Sequence, residues 1–119
     1  MKVLKFRDYL VPLVLSGEKD STWRLFDDKE LSVGNDIELQ VFVTNEPFAK
    51  AKITKVIEKR FGELTEDDKQ GHEKYKNDSE MYAEYTKYYK VPVDSNTLVK
   101  IIWFKLKRTS MPDSTERFR

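Results

Sequence analysis

The part of this chain densest in groups that can do chemistry is Ser16-Gly17-Glu18-Lys19-Asp20-Ser21-Thr22-Trp23-Arg24. If Thr22 opens a strand, Thr22 and Arg24 face one side and Trp23 the other, because strand side chains alternate. Lys19 lies on the connection just before them. An ammonium, a hydroxyl and a guanidinium then converge beside a helix terminus, a set suited to phosphate or carbonyl oxygens. The same set suits catalysis, since a lysine with a depressed pKa can activate a neighbouring threonine hydroxyl as nucleophile. An ordinary reading stands beside these: a solvated loop lysine, a strand threonine, and an arginine paired with Glu18 or Asp20.

Other candidates are weaker. The chain has no cysteine and one histidine, His72, so thiolate metal sites, disulfides and a cysteine nucleophile are excluded and a His-based zinc site is implausible. His72 follows Gly71 and reads as a surface or cap residue, with general-base duty the lesser reading. Tyr75, Tyr82, Tyr85, Tyr88 and Tyr89 suggest base stacking, but their helical spacing reads first as core or cleft wall; Tyr89 or Trp23 is the candidate to reach a ligand. Lys50, Lys52, Lys55, Lys59 and Arg60 read as the solvated side of an amphipathic strand rather than a phosphate track. Lys105, Lys107, Arg108, Arg117 and Arg119, against Asp113 and Glu116, make a basic C-terminal end suited to RNA.

These residues need a scaffold. The 119 residues fit one domain, expected over 1–107, with 108–119 a polar, disordered tail. At 39% hydrophobic and 13% aromatic residues the chain can form a core. Its 22 Lys and Arg nearly balance 21 Asp and Glu, which argues against a DNA-coating protein. The apolar run from Leu10 to Leu15 is far short of the ~20 residues that cross a bilayer. It also lacks the small-residue cleavage site of a signal peptide. The expectation is a cytoplasmic, metal-free protein with no cofactor and no membrane partner.

Residues 2–6 read as a first strand and 9–16 as a short helix, capped by Asp8, with Pro12 in its first turn and Gly17 as terminator. Strands follow near 22–25, 37–41 and 48–57, the last slipping phase near Lys55-Val56-Ile57 as a bulge would. Residues 26–31 read as a charged loop. Thr65 and Asp68 have the form of a capping box, predicting a short helix that ends at Gly71. A second helix begins near Asn77 or Asp78. Residues 97–107 form the clearest strand, apolar on both faces and so covered on both. The expected class is α+β, a small curled barrel of short antiparallel strands, with one helix after the first strand and two short helices before the last.

The stretch 15–24 resembles the G-x-K-x-x-T-x-R signature of ASCH domains, small relatives of the PUA RNA-binding domain. Val33-Gly34-Asn35-Asp36-Ile37 is similar to their Gly-Asp turn and strand, with Asn35 inserted. Ala51 to Val56, Leu64-Thr65 leading to Gly71, Tyr85 to Tyr89 and the strand at 98–106 also fit, so the resemblance spans about residues 3–106. It implies a PUA-like barrel with a cleft lined by Lys19, Thr22 and Arg24 that takes RNA or a modified nucleoside. One bacterial branch is an amidohydrolase that deacetylates acetylated cytidine with a lysine, a threonine and a glutamate. Lys19 and Thr22 match the first two. Gln70 stands at or next to the glutamate's place, and a glutamine cannot act as general acid or base. Asp68 and Glu73 lie nearby, out of register.

Two functions follow. The first is a module binding RNA or a modified nucleotide through Lys19, Thr22, Arg24 and Gln70. The second is a metal-independent amidohydrolase in which Thr22 attacks, Lys19 takes its proton, Arg24 or backbone donors hold the oxyanion, and a carboxylate such as Glu73 or Asp68 protonates the leaving amine. Gln70 favours the first. The residues leave the oligomeric state open.

Overall fold

The structure, a computed structural model, describes residues 1–26 and 29–107. The expected tail at 108–119 and two residues of the expected loop at 26–31 lie outside them. Along the chain run β1 (Lys2–Phe6), a 3-10 turn (Asp8–Leu10), α1 (Val11–Ser16), β2 (Ser21–Arg24), β3 (Asp36–Val41), β4 (Pro47–Arg60), a second 3-10 turn (Phe61–Glu63), α2 (Asp78–Tyr89) and β5 (Leu98–Leu106). The five strands form one curled sheet in the order β1-β3-β4-β5-β2.

Several expectations about this architecture are corrected. The strands are not all antiparallel: β1 pairs parallel with β3, Leu4 opposite Leu39. A parallel pair needs a long crossover, and α1 with β2 supplies it. The two edge strands are not paired with each other among the described residues, so the sheet is a half-barrel. A side chain spans its open seam, the Arg24 guanidinium donating to the Lys5 carbonyl at 3.0 Å.

The helix expected at 65–71 is a further correction. Its cap forms in full: Thr65 N donates to Asp68 Oδ2 at 2.9 Å and Asp68 N to Thr65 Oγ1 at 3.2 Å. The chain then runs through turns instead, with Lys69 N on the Thr65 carbonyl and Gln70 N on the Asp67 carbonyl, each at 3.2 Å. Glu66, Asp67, Asp68, Lys69 and Gln70 offer no apolar face, and a helix this short is not stable without one. At the first helix, Asp8 lies inside a 3-10 turn rather than capping α1, and Arg7 before it makes no side-chain cap bond. Gly17 does end α1 in the left-handed region, at φ 88°. Asn77 caps α2 by accepting from Glu80 N at 2.8 Å.

The sheet serves two cores. Leu4, Phe6, Val14, Ile37, Leu39, Ile53, Ile102 and Phe104 form one, beneath α1. Trp23, Leu25, Phe61, Met81, Tyr85, Val99 and Ile101 form the other, beneath α2. Adjacent Ile101 and Ile102 point into different cores and are both 0% exposed, which is why β5 is apolar on both faces. On β4 the register with β5 shifts between Ile53 and Lys55, the expected bulge. The extra residue flips the alternation, so Ile53 and Val56 meet the first core while Ile57 turns to the second.

Candidate functional site

Lys19 emerges at the junction of α1 and β2. After the turn at Gly17 its backbone N–H reaches back to the Leu13 carbonyl at 3.0 Å, and its side chain runs inward with only 3% exposure. The expected solvated lysine is therefore buried. Its ammonium donates to the Ser21 carbonyl at 2.8 Å and to Glu73 Oε1 at 2.5 Å. Burial lowers the Lys19 pKa below the usual lysine range; Glu73 works against that shift and Arg24 with it. For Glu73, burial alone would raise the carboxyl, but His72 and the Lys19 ammonium outweigh it and hold the pKa below the usual value.

Strand alternation puts Thr22 and Arg24 on one side, as expected: Arg24 Nε donates to Thr22 Oγ1 at 3.2 Å. Arg24 pairs with neither Glu18 nor Asp20. Trp23 points the other way, into the second core, where it stacks on His72 with ring centroids 3.8 Å apart. His72 is thus buried in an aromatic stack rather than a surface or cap residue. Its Nδ1 lies 2.8 Å from the Glu73 carbonyl, which can only accept, so that nitrogen carries the proton. Burial first, then the nearby Lys19, lowers its pKa to about 4.

Glu73 reaches Lys19 because the loop at 64–77 is fastened to β2. The Gly71 carbonyl accepts from Asp20 N at 3.0 Å and Ser21 N at 3.2 Å. The Gln70 carbonyl accepts from Ser21 Oγ at 3.3 Å and Trp103 Nε1 at 3.2 Å. Gly71 itself is left-handed, at φ +79°. The Gln70 side chain is exposed and lines a smaller cavity of about 250 Å³ whose walls include Glu73 but neither Lys19 nor Arg24. Asp68 is turned from the cleft as well, paired with Lys59 at 2.8 Å. Of the three carboxyl or amide candidates, Glu73 is the one brought to Lys19.

Lys19, Thr22, Arg24 and Glu73 share a cavity of about 540 Å³ between the seam of the half-barrel and α2. Pockets of this size hold small organic ligands, for which roughly 300–1,000 Å³ is usual. Trp23, Tyr75, Tyr85, Tyr88 and Tyr89 form much of its wall, so the tyrosine stripe divides between core and cleft. Burial pushes the Tyr75 hydroxyl up to about 12 and Tyr85 well above its ordinary value, so both remain hydrogen-bond donors at neutral pH. Arg7, Tyr9 and Phe42 also line the cleft. Sequence patterning passed over them, since a strand-end arginine and a hairpin phenylalanine carry no local signal.

The basic residues of β4 take no part. Lys50, Lys52 and Lys55 are exposed; Lys52 pairs with Asp36 at 3.1 Å and Lys55 lies over the Trp103 ring at 4.9 Å. Among the described residues no group of three or more His, Cys, Asp or Glu side chains is placed to hold a metal ion. None of their helices is long and apolar enough to cross a membrane.

The curled mixed half-barrel is similar to solved structures of ASCH domains. The crystal structure of an ASCH domain from Lactobacillus crispatus JV V101 superposes with a TM-score of 0.66 at 16% identity, over 88% of this chain and 79% of that one. A protein of Enterococcus faecalis V583 gives 0.68 at 21% identity, over 88% and 78%. A mutant of the Zymomonas mobilis ASCH protein gives 0.63 at 10% identity, over 87% and 66%. No family model matches the sequence, and no curated protein does. The chain has the ASCH-domain fold.

Proposed function

We propose that the cleft binds a nucleoside or nucleotide with an acylated exocyclic amine and hydrolyses that amide, as the ASCH amidohydrolases do with acetylated cytidine. The observation that carries the reading is the 2.5 Å contact between buried Lys19 and Glu73, in the cleft that holds Thr22. It supplies the carboxylate that Gln70 does not. Thr22 Oγ attacks the acyl carbonyl while the Lys19 amine, its proton passed to Glu73, accepts the hydroxyl proton. Burial helps by making that ammonium easier to deprotonate than a solvated one. Arg24 faces the developing oxyanion. Glu73 returns the proton to the departing amine, and water then cleaves the threonyl ester through the same relay. The setting is the cytoplasm.

Binding of RNA or a modified nucleotide without turnover is the second reading, and one observation favours it. Among the described residues Lys19 Nζ and Thr22 Oγ1 are not bonded to each other: the lysine donates to Ser21 and Glu73, and the threonine accepts from Arg24. A chelator-treated turnover assay on acetylated cytidine decides. Wild type should release acetate, and Lys19→Ala and Glu73→Gln should each lose about 100-fold or more, the usual scale of a proton-transfer group. No acetate from wild type leaves the binding reading.

A further inference from the structure

The charge of the cleft is not that of the chain. Overall the protein is nearly neutral, with formal net charge +1. The cleft is lined by Lys5, Arg7, Lys19, Arg24, Lys87 and Lys90 against the carboxylates Glu73 and Glu84 alone. Glu73 is committed to Lys19, and Arg24 to Thr22 and the Lys5 carbonyl, so an acyl amide on a neutral nucleoside leaves Lys5, Arg7, Lys87 and Lys90 without a purpose. Arg7 is the best organised of them. Its guanidinium lies 5.5 Å from the centroid of the Phe42 ring and 5.1 Å from that of Tyr88, held by two aromatic faces at the exposed edge of the cleft. It has no carboxylate partner among the described residues. A guanidinium fixed in this way, with its N–H donors unspent, is a bidentate receptor for a phosphate. Lys87 and Lys90 flank the pair Tyr88-Tyr89 in sequence at the end of α2, where they offset the negative helix terminus.

We infer that the ligand carries a terminal phosphate gripped by Arg7 with Lys87 and Lys90, so that the site takes a nucleoside monophosphate in preference to the nucleoside. This deepens the proposed function and rests on it for the base-bearing end. A mononucleotide fits better than an RNA strand. Among the described residues these cations gather at one cavity, whereas on β4 Lys52 and Lys59 are already paired with Asp36 and Asp68.

The test is calorimetric titration with cytidine and cytidine 5′-monophosphate, beside turnover of their acetylated forms, for wild type, Arg7→Ala and Arg7→Lys. Wild type should bind the monophosphate at least about tenfold more tightly than cytidine, the order expected of one charge-assisted contact. The preference should weaken with salt, vanish in Arg7→Ala and return in part in Arg7→Lys. Equal affinity for the two ligands in wild type, absence of binding, or a preference unchanged in Arg7→Ala overturns the inference, whatever the turnover. A single-stranded RNA binding more tightly than the monophosphate overturns it in favour of a polymer. Because these ligands need no hydrolysis, a retained phosphate preference without acetate release sinks the hydrolase reading and keeps this one.

Discussion

Removing Lys19 and removing Glu73 should not cost the same. The lysine side chain is 3% exposed and the glutamate 30%, so the two ends of the pair lose different amounts of water on folding. Glu73→Gln leaves a buried ammonium facing a neutral amide, at about 1–3 kcal/mol, the range for an uncompensated buried polar group. Lys19→Met puts an unbranched apolar chain into the same channel and leaves a carboxylate that water still reaches, so it should cost about 1 kcal/mol or less. Both variants should lose acetate release by about 100-fold or more. Urea unfolding measures the difference, and a Lys19→Met variant less stable than Glu73→Gln would show that the ion pair is not limited by the buried cation. At this scale the sequence was informative where residues are neighbours. Lys19, Thr22 and Arg24 lie within one turn and one strand, and strand alternation alone puts Thr22 and Arg24 side by side. It was uninformative about burial: nothing in the spacing of Glu18, Lys19 and Asp20 says which of the three turns inward.

The sequence left the carboxylate between Asp68 and Glu73 because the loop at 64–77 is shaped by contacts with other elements. The resemblance put Gln70 at or next to the family's glutamate; in the turns the segment adopts, Glu73 lines the cleft with Lys19 and Gln70 lies exposed. The capping box was legible, and its two hydrogen bonds form. What the local sequence does not contain is the attachment of the Gly71 carbonyl to Asp20 N and Ser21 N, which sets where residue 73 arrives. Gly71→Ala tests this attachment. An alanine at φ +79° is strained by about 1–2 kcal/mol, and its Cβ would collide with the Asp20 carboxylate. The expected variant is folded, destabilised by about that amount, and impaired in acetate release at a temperature where it remains native, because Glu73 is displaced from Lys19. Full activity in a destabilised Gly71→Ala would detach the loop from the chemistry.

At the scale of the molecule, composition and strand patterning indicate an α+β sheet, and the phase slip in β4 marks the bulge that lets one strand serve two cores. The parallel pairing of β1 with β3 is not legible, because a strand's residues do not record the direction of its neighbour. Nor is the role of His72, the chain's one histidine, which joins the second core to the site. Trp23, Tyr75 and Tyr85 pack around its ring, and Lys19 and Glu73 are the charged groups beside it. Its pKa in the folded protein is about 4 against an ordinary 6.5. Between those values the unfolded chain binds a proton that the folded chain refuses, so stability must fall as pH falls. The full gap corresponds to about 3 kcal/mol, of which about 2 kcal/mol should be lost between pH 7.5 and pH 5. Glu73, with its pKa below 4.5, adds its own loss only at lower pH, so this window belongs to His72. Urea unfolding at the two pH values should show the drop in wild type and a much flatter dependence in His72→Gln, whatever that variant's absolute stability. An equal drop in both proteins would place the titrating group elsewhere and remove His72 as the link between the aromatic core and the Lys19–Glu73 pair.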